Sequence, residues 1–220
     1  MGDMPAAVLF DMDGTLVDTE HLWLEVARTV ATQAERPLAE DDLQHVLGRP
    51  IAHTAGYLHA TGATGTLEDL TRDLDDGFTE CVAREITPLP GVRGLLRELA
   101  RAGVPTAIVS ASERRVVDMV MDALGREFFT CSIAEGEAAA SKPAPDPYLA
   151  AAALLGVDPR HCVAVEDTPL GVAAAEAAGC AVLAVPSAVP IALAHRRTVA
   201  PSLRGIDMHV LAAVLGPRAV

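Results

Sequence analysis

Two short acidic pairs are the groups most able to do chemistry: Asp11 and Asp13 within Asp11-Met12-Asp13-Gly14-Thr15, and Glu166-Asp167 much further along the chain. The first pair follows an apolar run at residues 5–10, and if extended backbone continues, Asp11 and Asp13 project to one side with Met12 opposite. Side-by-side carboxylates repel, so a cation must neutralise them or one must keep its proton. Hard oxygen ligands gathered without His or Cys suit Mg2+, which takes a few carboxylates plus water and substrate phosphate. Helix capping ahead of Pro169 accounts for Glu166-Asp167 equally well at this level.

The counter-charges are sparse. Of 17 basic residues, 16 are Arg and one, Lys142, is Lys. A compact ammonium kept where composition favours the planar guanidinium suggests a site that needs the former; chance placement is the bland alternative. Lys142 lies in the proline-stiffened segment Ser141-Lys142-Pro143-Ala144-Pro145-Asp146, where it can answer the carboxylates and a phosphate. Ser110 and Ala111 end another apolar run just before a helical pattern, and a hydroxyl with backbone N–H groups at a helix start forms a phosphate cradle. Ser112 as an ordinary N-cap explains the same residues.

These groups need a scaffold that gathers distant segments. Apolar runs at residues 5–10, 104–109, 131–134, 162–165 and 180–185 read as buried strands, and helical patterns at 92–102, 113–124, 147–155 and 169–178 lie between most of them. Such alternation implies an α/β fold, a Rossmann-like parallel sheet with helices on both faces. Ser112, Asp146 and Thr168 are candidate N-caps, and Gly103, Gly125, Gly156 and Gly179 candidate stops. Each acidic pair then falls at the carboxyl end of a strand, where open α/β sheets place ligands. Residues 18–87 break the alternation, with helical periodicity at 20–34, 40–47 and 67–84 and no strand, so they form an inserted all-helical cap between core segments 1–17 and 88–220. The connector Thr87-Pro88-Leu89-Pro90-Gly91 is stiff, and with the outgoing connector it makes a hinge.

Composition narrows the function classes. The 220 residues are half hydrophobic with a mean hydropathy of +0.29, enough for one substantial core, and no stretch approaches a membrane span. The net charge of −13 disfavours nucleic acid and anionic lipid as partners. Cys81, Cys131, Cys162 and Cys180 show no paired metal spacing and read as reduced, buried thiols of a cytoplasmic chain. The expected partner is a small phosphorylated metabolite, and the expected state a monomer or weak homodimer.

With these motifs in this order, the chain resembles the haloacid dehalogenase superfamily phosphatases with a helical cap, near the β-phosphoglucomutase and phosphoglycolate phosphatase subgroup, over nearly its whole length. The resemblance implies that Asp11 is the nucleophile, Asp13 the general acid and base, and that Ser110, Ala111 and Lys142 bind phosphate. It implies a Mg2+ site built from Asp11, the backbone carbonyl of Asp13, Asp167 and Glu166, the last assisting through water. Ser141 departs from the Gly that relatives often carry before the lysine. The implied reaction is hydrolysis of a small phosphomonoester, such as a sugar phosphate, through an aspartyl-phosphate.

In that family the cap closes over the site and selects the leaving group, so Glu20, Trp23 and Arg49, the last in the turn Gly48-Arg49-Pro50, are candidate substrate contacts. Core packing for Trp23 and a solvated turn for Arg49 are the alternatives. A mutase of the β-phosphoglucomutase type would need a cap His, Arg and Lys; this cap has no Lys, Trp23 stands in place of the His and Ile51 in place of the Arg. Dehalogenase chemistry does not need the retained Asp13. A catalytically idle binding module on the same fold would keep mutually repelling carboxylates without use.

Overall fold

The computed structural model describes residues 4–47, 49–84, 86–187 and 189–216, with Glu20 described by its backbone. Strand β1 (Ala7–Phe10) is followed by helices α1 (Glu20–Gln33), α2 (Ile51–Ala60) and α3 (Leu67–Arg84), with a 3-10 turn at Glu40–His45. Then come α4 (Val92–Ala102), β2 (Thr106–Val109), α5 (Arg114–Leu124), β3 (Cys131–Ile133), α6 (Asp146–Leu155), β4 (Cys162–Glu166), α7 (Pro169–Ala177), β5 (Ala181–Ala184), β6 (Arg197–Val199) and α8 (Met208–Leu215). The chain divides into two compact units, residues 1–17 with 88–220, and residues 18–87.

In the first unit the strands form one parallel sheet in the order β3-β2-β1-β4-β5-β6. Every residue of β1, β2, β4 and β5 is buried, as continuous apolar strands covered on both faces must be. Alternate residues Ala7, Leu9, Ala164, Val182 and Ala184 enter a core with Tyr148 and Ala151 of α6 and Val172 and Ala175 of α7. Helix α8 also packs on β4 and β5. Helix α4 buries Val92, Leu95, Leu96 and Leu99, an apolar stripe at helical spacing, and stops at Gly103, whose φ of 67° is the left-handed turn that glycine adopts without strain.

This order has a physical consequence for the site. From β1 the chain runs outward to β2 and β3, then returns to add β4 on the other side of β1, so a crevice opens beyond the strand ends flanking β1. Asp11 directly follows β1, Ser110 directly follows β2 and Glu166 ends β4, so the carboxyl ends of three neighbouring strands carry these residues.

The second unit is helical, as its periodicity requires. Helix α3 packs on both α1 and α2, burying Leu70, Leu74, Phe78, Cys81 and Val82. Trp23 meets Phe78 edge to face at 5.6 Å between ring centroids, and its indole N–H donates to the Val46 carbonyl at 2.8 Å. Asp42 is buried and takes both terminal nitrogens of Arg36, the Tyr57 hydroxyl and the Ala39 N–H.

Several expectations need correction. Residues 40–47 hold a 3-10 turn and not an α-helix, and α2, β6 and α8 lie where no element was expected. Each is a short segment whose pattern is weak or ambiguous: β6 is three residues with an exposed centre, and α8 is apolar on nearly every side. Thr168 caps α7 as expected, accepting from the Gly171 N–H, whereas Ser112 and Asp146 do not cap: Glu113 and Pro145 hold those positions.

Candidate active site

The ammonium of Lys142 organises the crevice. It donates to Asp11 Oδ1 at 2.7 Å, to Glu166 Oε1 at 2.7 Å and to the Val109 carbonyl at 2.9 Å. Its side chain is 9% exposed, and those of Asp11 and Glu166 are 10% and 0% exposed, so these pairs sit away from bulk water. Burial alone would lower the Lys142 ammonium, but Asp11 and Glu166 together hold it above its ordinary value. Burial, then the Glu166 carboxylate, pushes Asp11 well above the usual carboxylate range; Lys142 pulls it down, while Asp167 and Asp13 add to the rise.

Asp11, Glu166 and Asp167 each bring a carboxylate oxygen within 4.8 Å of the others, all three residues buried. One ammonium cannot balance three carboxylates, and among the described residues Asp11 Oδ2 is buried with no hydrogen-bond partner. That orphaned oxygen in an all-oxygen, net negative cluster fits a hard divalent cation. Two glycines make the cluster possible. A Cβ on Gly14 would lie 2.2 Å from Asp167 Oδ2 and would strain a φ of +79°; one on Gly171 would lie 1.8 Å from Glu166 Oε1.

Asp13 is held by serine hydroxyls. Its Oδ2 accepts from the Ser112 hydroxyl at 2.7 Å and the Ser110 hydroxyl at 3.2 Å, while Ser110 Oγ accepts from the Ser112 N–H at 2.9 Å. Ser112 therefore serves the acidic pair and not the helix, because Glu113 already occupies the cap position. Ser110 and Ala111 line a small cleft with Glu135, Ser141 and Lys142, and Ser141 donates to Glu135 at 2.8 Å. Ser110 and Ala111 thus share a cleft with Lys142, whose ammonium joins Asp11 and Glu166, while Asp167 lies in the carboxylate cluster and Asp13 is tied to Ser110.

Three contributors escaped sequence reading. Tyr148 is fully buried on α6 and donates to Glu166 Oε1 at 2.6 Å; burial, then the Glu166 charge, holds its hydroxyl well above the usual phenol range, so it stays a donor. Ser187 donates to Asp167 Oδ2 at 2.5 Å, which gives part of the segment 185–204 a place beside the carboxylates. Ser112 is the third. Its signal was its own offset, two residues past Ser110; nothing in sequence aims Tyr148 or Ser187 at the site.

The helical-unit candidates stand differently. The Glu20 side chain and Gly48 lie outside the described residues. Trp23 is 6% exposed, with its ring on Phe78 and its N–H on Val46, contacts that pack it within the helical unit. Arg49 is exposed, with Nε donating to the Gln44 carbonyl at 3.3 Å.

The family profile described as haloacid dehalogenase-like hydrolase matches residues 5–179. Hexitol phosphatase A of Escherichia coli K12 is 35% identical over 182 residues, covering 80% of this chain and 81% of that protein. A phosphorylated carbohydrates phosphatase of Thermotoga maritima is 30% identical over 175 residues, 79% of this chain and 81% of the relative. The crystal structure of CbbY from Rhodobacter sphaeroides in complex with phosphate superposes with a TM-score of 0.83 at 25% identity, covering 94% of this chain and 99% of that one.

Proposed function

The chain belongs to the haloacid dehalogenase-like hydrolases, and from that premise we propose that it hydrolyses small phosphomonoesters, of the sugar or sugar-alcohol phosphate class, with Mg2+ and an aspartyl-phosphate intermediate. One observation carries the reading: Lys142 grips one oxygen of Asp11 inside a buried cluster of carboxylates whose charge it cannot balance alone. Asp11, Asp167 and the Asp13 backbone carbonyl, with Glu166 assisting, would hold Mg2+, which supplies the charge neutralisation that lets an anionic carboxylate meet an anionic phosphate.

The chain's own residues account for the rest. Lys142 and the Ser110–Ala111 turn orient the phosphate, and Asp11 attacks phosphorus as the ester P–O bond breaks. Asp13, steadied by two serine hydroxyls, gives a proton to the departing alkoxide and then takes one from the water that hydrolyses the aspartyl-phosphate. Hydrolysis is preferred to mutase transfer because residues 18–87 offer no Lys to hold a reorienting bisphosphate.

The test is phosphate release from a panel of phosphorylated sugars, sugar alcohols, phosphoglycolate and p-nitrophenyl phosphate, with Mg2+ and with EDTA, ranked by kcat/KM. Magnesium-dependent release that favours the sugar-derived esters is expected. Folded protein that releases no phosphate from any of them would leave an idle binding module.

A further inference from the structure

Lys142 has three ammonium hydrogens, and Asp11, Glu166 and Val109 take all three. To reach a phosphate as well, the ammonium must release one acceptor. Releasing Asp11 would unseat the nucleophile. Glu166 Oε1 is the acceptor for which the fold supplies a second donor, the Tyr148 hydroxyl at 2.6 Å. The other oxygen, Oε2, is met by Asp167 N–H at 3.2 Å and by Thr168 N–H and Oγ1 at 3.4 and 3.3 Å, so Glu166 stays satisfied when Lys142 turns away. The Lys142 ammonium also lies 5.3 Å from the centroid of the Tyr148 ring, which keeps an aromatic surface beside the charge.

We propose that Tyr148 is a positioning residue that holds Glu166 Oε1 in place of Lys142, and so lets the ammonium move from Glu166 to the substrate phosphate. The assignment rests on the phosphatase reading above. Without the hydroxyl, a buried carboxylate oxygen would depend on Lys142 alone, and the ammonium would be held back from the phosphate.

Because the chain contains one Lys, protein labelled with 15N-lysine gives a single side-chain ammonium signal, that of Lys142. Titrating inorganic phosphate into the Mg2+-loaded wild type should move that signal saturably. In Tyr148→Phe, phosphate should bind about tenfold more weakly, with KM rising by a similar factor and kcat changing little, as expected for one lost charge-assisted hydrogen bond. Equal phosphate affinity and an equal displacement of the signal in the variant would overturn the role of Tyr148 and leave the phosphatase reading intact. A wild type that neither turns over phosphomonoesters nor answers phosphate would remove both. Should the variant fail to fold, fluorotyrosine labelling of the wild type gives only two reporters, Tyr57 and Tyr148. Phosphate should then shift the Tyr148 resonance, and an unmoved resonance overturns the proposal.

Discussion

At the residue scale, Asp11 and Asp13 lie two positions apart yet have different partners: an ammonium for one, two hydroxyls for the other. That division underlies the proposed split between nucleophile and proton carrier. Asp11→Asn should abolish turnover and aspartyl-phosphate trapping together. Asp13→Asn should keep substrate binding while slowing leaving-group departure, which a single-turnover quench reads directly; full activity in either variant would defeat the assignment. Gly14→Ala is a sharper probe, since the added methyl would lie 2.2 Å from Asp167 Oδ2 at a backbone angle that disfavours any side chain. Displacing Asp167 should raise the Mg2+ requirement about 10–100-fold, measured as the metal concentration for half-maximal rate.

At the element scale, β1 and β2 lead directly into Asp11 and Ser110 and β4 ends on Glu166, and apolar runs made those strands legible in the sequence. Short elements were not: α2, β6 and α8 carry too little periodicity to separate from loop or from each other. Ser112 shows how local reading misleads, because a serine before a helix looks like a cap until Asp13 of another segment claims its hydroxyl. The helical segment carries its own electrostatic brace. Hydrogen bonds from Arg36, then Tyr57 and the Ala39 N–H, hold the buried Asp42 carboxyl well below the usual carboxylate range. A depressed carboxylate contributes stability that is complete above its unfolded pKa and lost as pH falls toward the folded one. Asp42→Asn should therefore weaken the helical segment at pH 7, and its deficit against wild type should begin to narrow below about pH 4 and keep narrowing at lower pH in acid titrations followed by circular dichroism. A deficit unchanged down to pH 2 would show that the ion pair does not matter.

At the scale of the whole molecule, a buried acidic cluster is a liability until a cation fills it. Mg2+ at about 100 times its Kd should add about 2.7 kcal/mol. In a chain of 220 residues that corresponds to a melting temperature raised by roughly 5–10 °C. Asp167→Asn should melt above wild type in EDTA, because one repulsion is gone, and should lose most of the response to Mg2+; a full response would exclude Asp167 from the metal site. By itself the sequence determined the chemical inventory and the parallel α/β plan, because motif chemistry and hydrophobic period are local properties of a chain. Only the tertiary structure decided that Tyr148 braces Glu166, that Ser187 steadies Asp167 and that Trp23 packs against Phe78. Those partners are separated by many residues, and the register of strands and the docking of helices, which no local pattern encodes, bring them together.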